Sequence, residues 1–188
     1  MLNEAVLFLL NVILQSFAAI LLLRFHLQWL RAPLRNPIGE FVMVFTDFLV
    51  LRTRRYIRAI WGVDSATLLA AWLVETIYLA SVMWIAGYTG HFFPLTGLLV
   101  LALVKLLTIS LYLLMGAVFA QAILSWVNPH TPVSSVLNAI TYRFLQPLRR
   151  IVPMLGSVDL SSMLLLIICQ LMLIVPVGML ERVASRLF

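Results

Sequence analysis

Two charged residues, Glu75 and Lys105, stand inside oily stretches, TLLAAWLVETIYLASVMWIA and LTGLLVLALVKLLTISLYLL. A charge left alone in hydrocarbon costs about 3 kcal/mol. An acid and a base at matching depth therefore either pair statically across two helices or mark the path of an ion. Glu75 is eleven residues before Ala86 and Lys105 is ten after Leu95, so antiparallel helices would bring them to similar depth. Asn11 and Gln15, at i and i+4, share a face of the first apolar run, and Gln121 and Gln170 add further amides. Such groups can line a path, and they serve equally well as interhelical hydrogen bonds.

A second constellation lies in LQPLRRIVPMLGSVDLSS, residues 145–162, and in a worn copy, LRTRRYIRAIWGVDSA, residues 51–66. Arg149 or Arg150 is placed to bond Asp159, and Arg54 or Arg55 to bond Asp64. A carboxylate just ahead of a membrane helix also caps its N-terminus, accepting backbone N–H bonds at the positive end of the dipole. A clamp or cap is the first reading of these pairs. Anionic lipid phosphate is the next ligand the arginines suit. His26, His91 and His130 are scattered over different loops with no i, i+4 pair, so no haem, zinc or other cofactor is expected. Cys169 has no partner cysteine and reads as a packed thiol. There is no phosphate-cradling glycine loop and no set of nucleophile, base and orienter, so the sequence does not read as an enzyme.

The elements that carry these residues follow from composition. Of 188 residues, 63% are apolar and 11% charged, with a mean hydropathy of +1.08, far outside the range of soluble domains. Four segments approach the roughly 20 residues that cross a bilayer: about 5–23, 66–86, 95–124 and 161–180. The third is long enough to tilt or project. The N-terminal run lacks a basic n-region and a small-residue cleavage site, so it is expected to be a retained helix. The net charge of +6 is expected to meet anionic headgroups at cytoplasmic loops, with no direct nucleic-acid partner. Arg24, Arg31, Arg35, Arg52, Arg54, Arg55 and Arg58 lie in the first connection, Arg143, Arg149 and Arg150 in the second, and none in the hairpin GYTGHFFP between them. The positive-inside bias makes both basic connections cytoplasmic and both termini periplasmic; Arg182 and Arg186 pull mildly the other way.

The chain also repeats. At an offset of 95, Asn36-Pro37 falls on Thr131-Pro132, Thr46 on Thr141, Arg54-Arg55 on Arg149-Arg150, Val63-Asp64 on Val158-Asp159, and Glu75 on Gln170. Trp29 meets Trp126 at 97. These matches predict an all-α membrane protein of two parallel repeats, residues 1–90 and 91–188, each two transmembrane helices joined by a cytoplasmic interfacial amphipathic helix. The interfacial helices are expected over 38–51 and 133–148, with Pro37 and Pro132 at their starts. Pro147 and Pro153 are expected to end the second one and bend the chain toward the fourth span. Trp29 and Trp126 suit interfacial anchors, and Gly116 with Ala120 offers a small-residue surface for association.

The second repeat carries Leu124-Ser125-Trp126, Thr131-Pro132, Pro147-Leu148-Arg149-Arg150, Val152-Pro153 and Gly156-Ser157-Val158-Asp159-Leu160-Ser161. The first retains Trp29, Asn36-Pro37, Arg54-Arg55 and Gly62-Val63-Asp64. In motif order, length and two-copy layout the sequence resembles the YggT family of small bacterial membrane proteins, with plastid relatives called YlmG. It departs at Thr131, where asparagine is common, at Ser157 for a second glycine, and at Ser162 where proline is usual. The resemblance implies an inner-membrane protein linked to osmotic-stress tolerance, ion homeostasis, or division and membrane-complex organisation. Two functions are therefore expected: an accessory or scaffold protein that associates with itself or a membrane complex, or an oligomeric channel or transporter for a small cation such as potassium.

Overall fold

The computed structural model describes residues 2–55, 57, 64–88, 94–128, 131–152 and 159–187, without the side chain of Trp126. Pro153 and Gly156 lie outside the described residues, as do His91 and His130. Among the described residues all regular structure is helical, in six helices: α1 (Leu2–Trp29), α2 (Pro37–Arg54), α3 (Ser65–Ile85), α4 (Leu95–Val127), α5 (Pro132–Arg149) and α6 (Leu160–Ser185). Helices α1, α3, α4 and α6 are long and apolar enough to cross a membrane.

Each start and stop has a local cause. Asn36 caps α2 by accepting from Gly39 N (2.9 Å), Thr131 caps α5 by accepting from Ser134 N (3.1 Å), and Pro37 and Pro132 open the two helices where no N–H is missed. Helix α1 stops because Arg31 takes a left-handed conformation (φ 54°), which lets Ala32 N reach back to Leu27 O and Arg31 N to Gln28 O. Gly87 (φ 81°) ends α3 the same way, with Tyr88 N bonding Met83 O.

Three expectations need correction. The helix that carries the first span does not stop at residue 23: Arg24 is buried and paired with Asp47, and the helix runs on through His26 to Trp29. His26 is thus on a helix and not in a loop, its Nδ1 2.6 Å from Leu22 O. The helix that carries the fourth span does not stop at residue 180. A π-helical turn, Leu173–Val177, takes in Pro176 and carries the helix to Ser185, since the wider turn absorbs the missing N–H. Finally, Pro147 sits inside α5, which ends two residues later; in a last turn the lost bond frees one carbonyl only.

Helix α4 is the hub, packing against α1, α3, α5 and α6, while α2 lies on α1 and α3, and α5 on α4 and α6. The α1–α3 contact is lined by Ala18, Ala70 and Ala71, all buried, beside Leu21, Leu22 and Val74. Small residues let two backbones approach closely where lipid supplies no hydrophobic drive. The Cys169 thiol is buried with Val118, Leu145 and Leu165, where α4, α5 and α6 meet.

Candidate functional site

The α1–α3 contact buries a carboxyl. Glu75 is fully buried; Gln15 Nε2 donates to its Oε1 at 3.1 Å, and its Oε2 is buried without a hydrogen-bond partner. Gln15 comes from a π-helical turn, Asn11–Gln15, in α1. Widening the turn separates residues that an α-helix would stack, so Asn11 is exposed while Gln15 points to Glu75. Asn11 therefore does not join the buried group.

Glu75 and Lys105 do not bond each other. Lys105 Nζ donates to Glu181 Oε1 at 2.9 Å, and Thr108 Oγ1 approaches the same oxygen at 3.4 Å. Their sequence neighbours Val74 and Leu106 nevertheless pack into one buried cluster, which sets Glu75 and Lys105 in the same region of the α3–α4 contact. Glu181 is not singled out in the sequence, where it lies one residue past the expected end of the fourth span at 180. GMLERVAS keeps a helical period and Lys105 and Thr108, three apart, share one face of α4, but neither pattern states that the helix passes Pro176 unbroken.

A second set of contacts ties α2 and α5 to the spans. Arg24, almost fully buried in α1, donates through Nη1 to Thr46 Oγ1 (2.7 Å) and Asp47 Oδ1 (2.7 Å) of α2. In the other half Gln121 of α4 accepts from Thr141 Oγ1 of α5, and its Nε2 donates to Asn138 Oδ1 at 3.2 Å. Thr46 and Thr141 are both fully buried and both donate to the carbonyl four residues back. Gln121 is thus a structural link. Gln170 is exposed on α6.

The basic motifs form clamps at the starts of α3 and α6. Arg54 Nη2 lies 2.6 Å from Asp64 Oδ2, and Arg149 lies 2.9 Å (Nε) and 2.7 Å (Nη2) from Asp159 Oδ2. Asp64 also accepts from Thr67 N (3.4 Å), and Asp159 from Ser161 N (3.0 Å). Clamp and cap are one carboxylate in each case. Burial alone would raise both carboxyls, but the arginine contacts and the Thr67 and Ser161 hydrogen bonds outweigh it, so both titrate below the usual aspartate value. Arg55 and Arg150 are exposed. Arg143 lies over the Trp29 ring, 5.3 Å from its centroid. Among the described residues no three His, Cys, Asp or Glu side chains are grouped to hold a metal.

Four helices long and apolar enough to cross a membrane, with two capped connecting helices between them, are compatible with a multi-pass helical membrane protein. The CCB3/YggT family model matches residues 3–85 and again 100–180, and the chain belongs to that family. It is 31% identical over 171 residues to the uncharacterized protein YggT of Escherichia coli K12, covering 86% of this chain and 83% of that one. It is 32% identical over 163 residues to the uncharacterized protein PA0392 of Pseudomonas aeruginosa, covering 85% and 82%. A Vibrio alginolyticus protein, described by its place in the proC 3' region, is 30% identical over 161 residues, covering 85% and 86%. No solved structure matches the chain.

Proposed function

We propose that the protein is a non-enzymatic accessory or scaffold protein of the bacterial inner membrane, associating with itself or with a larger membrane complex. Its two halves are parallel repeats, with α2 and α5 lying in the cytoplasmic interface and both termini periplasmic. The pairs Arg54–Asp64 and Arg149–Asp159, 95 positions apart, and the repeated family match support the duplication. The outer basic residues meet anionic headgroups. Beside Arg143 and Trp29, an apolar cleft lined in part by Leu23, Leu114, Ile140 and Phe144 has the character of an acyl-chain site.

The observation that carries the scaffold reading is the outer face of α2. Phe41, Val44, Phe45, Phe48 and Leu51 are all exposed at helical spacing. At the corresponding positions of α5, Val136 and Ile140 are buried, and Arg143 and Gln146 present polar groups. An apolar stripe retained on one copy only suits docking against protein. Extraction in native membrane discs should yield oligomers or stable partners, dispersed by Phe45→Glu with Phe48→Glu. Monomers alone from native membranes would overturn this reading, and with it any role in osmotic-stress, division or membrane homeostasis that depends on assembly.

A second reading, an oligomeric channel or transporter for a small cation such as potassium, is favoured by the buried Glu75 and its unpartnered oxygen. Potassium flux into proteoliposomes, reduced by Glu75→Gln, would support it; flux unchanged by that substitution would remove Glu75 from the path.

A further inference from the structure

Three ionisable residues stand on three neighbouring spans: Glu75 on α3, Lys105 on α4 and Glu181 on α6. Only the second and third are in contact, at 2.9 Å. The contacts of Glu75 leave an imbalance. Its Oε1 takes one hydrogen bond from a neutral amide, its Oε2 takes none, and the nearby ammonium is committed to Glu181. An ionised carboxylate has about four acceptor sites to fill, and this one is fully enclosed. A single proton on Oε2 removes the charge and leaves a neutral acid whose carbonyl oxygen Oε1 is already bonded to Gln15.

We propose that Glu75 carries this proton and passes it through Lys105 to Glu181. Lys105 gives a proton from its ammonium to Glu181, and the neutral amine then takes the Glu75 proton. The start is a neutral acid at Glu75 beside the ion pair Lys105–Glu181. The end is the ion pair Glu75–Lys105 beside a neutral acid at Glu181. One proton has moved, total charge is unchanged, and no co-reactant is consumed. Lys105 and Glu181 are each about one-third exposed, so the lysine has room to exchange partners. The direction is set by depth. Gly97, near the start of α4, packs against the Leu187 carbonyl, so Glu181, six residues before Leu187, lies about one and two-thirds turns inside the end of the protein where α4 begins. From there its proton is released to water. The groups bonded along this path are Lys105 from α4, on Glu181 of α6, and the Gln15 amide from α1, on Glu75. The π-helical turn of α1 is what delivers Gln15 to Glu75.

This inference deepens the transport reading by naming the proton as the species handled at Glu75, and its test separates the two. The full chain is reconstituted in vesicles of phosphatidylethanolamine and phosphatidylglycerol. Infrared spectroscopy follows the carbonyl stretch of a protonated carboxyl, and an enclosed pH-sensitive dye follows proton flux. The wild type should show a carbonyl band that shifts in deuterated water, is absent in Glu75→Gln, and does not respond to sodium or potassium at fixed pH. Lys105→Arg keeps a cation opposite Glu181 but cannot give up its proton. It should retain the band and the helical spectrum while proton flux falls at least tenfold. Absence of the band in folded wild type, or its removal by potassium at constant pH, overturns the proposal. So does full flux in Lys105→Arg, or a band with no proton flux. Potassium flux without the band would leave the transport reading standing and remove this one.

Discussion

Arg24 on α1 and Thr46 on α2 are joined by a hydrogen bond of 2.7 Å, and the same guanidinium nitrogen reaches Asp47. In the second half the matching contact is Gln121 with Thr141, offset by 97 positions in the span and 95 in the following helix, the same two-residue difference that separates Trp29 from Trp126. A buried threonine therefore receives a charged partner in one half and a neutral one in the other. Arg24 keeps a buried Nε without a partner, so the charged version holds a residual desolvation cost.

Replacing Arg24 with Gln should be tolerated at about 1 kcal/mol, because the amide can meet Thr46 as Gln121 meets Thr141 and no buried charge remains. Asp47→Ala should cost more, about 3 kcal/mol, by leaving the guanidinium buried without its counter-ion. Thermal unfolding in detergent of the two variants checks the order; equal losses would mean that solvent already satisfies Arg24 through the half-exposed Asp47 side.

Asp64 both caps α3 and pairs with Arg54, while Arg54 pairs with Asp64 and makes a long, exposed contact of 3.4 Å to Gln28 Oε1. Asp64→Ala removes the α3 cap, the Thr67 contacts and the ion pair, for about 1–2 kcal/mol. Arg54 is over two-fifths exposed, so Arg54→Ala should cost no more than about 1 kcal/mol. The comparison of midpoints between these two single variants reads the cap separately from the pair.

The acid side of the stability profile follows from the same carboxylates. Both Asp64 and Asp159 titrate below their reference value of 3.8 when folded, so the unfolded chain binds the proton first as pH falls. Their contribution is complete above about pH 4 and is lost progressively below it. Between pH 5 and 8 the clamps should be insensitive to pH. In Asp64→Asn with Asp159→Asn, the loss of midpoint from pH 5 to pH 3 should be smaller than in the wild type.

Four spans, the two capped connecting helices and the Arg–Asp clamps were legible in the sequence because each rests on local chemistry: hydropathy, a cap residue with proline after it, and an acid ten residues past an arginine. The partner of Lys105 was not. Choosing Glu181 over Glu75 depends on how far α6 runs past Pro176, and a π-helical turn that absorbs a proline leaves no residue-type signature. The same holds for Asn11 and Gln15, whose shared face existed only for an ideal α-helical turn. The apolar run stops at residue 23 in the sequence, and nothing local to Arg24 announces that Thr46 and Asp47 will supply its partners.

Arg31 ends α1 in a left-handed conformation that an L side chain holds at a cost, while Gly87 performs the same turn for α3 without one. Arg31→Gly should therefore raise stability by up to about 1 kcal/mol, discounted by the greater freedom of glycine in the unfolded chain. Arg31→Ala, which removes the same charge and keeps the strain, is the control; a gain equal to that of Arg31→Gly would assign the effect to charge instead of backbone.

Gly39 is required for a different reason. A Cβ at this position would stand 2.2 Å from the Leu34 carbonyl oxygen and 2.8 Å from its Cα, and those atoms are backbone that no rotamer change can move aside. Its N–H is the one Asn36 accepts in capping α2, so relieving the clash displaces either the cap or the chain from Ala32 to Leu34. Gly39→Ala should cost about 2 kcal/mol or more, although alanine is the better helix former. Ser134, the residue 95 positions on, already carries a Cβ in the same first turn of α5. Ser134→Ala should leave stability within about 0.5 kcal/mol of wild type, because its contribution to the Thr131 cap is its backbone N–H, which alanine retains. Unfolding midpoints of the two alanine variants measured side by side would separate a steric demand local to α2 from one shared by both halves.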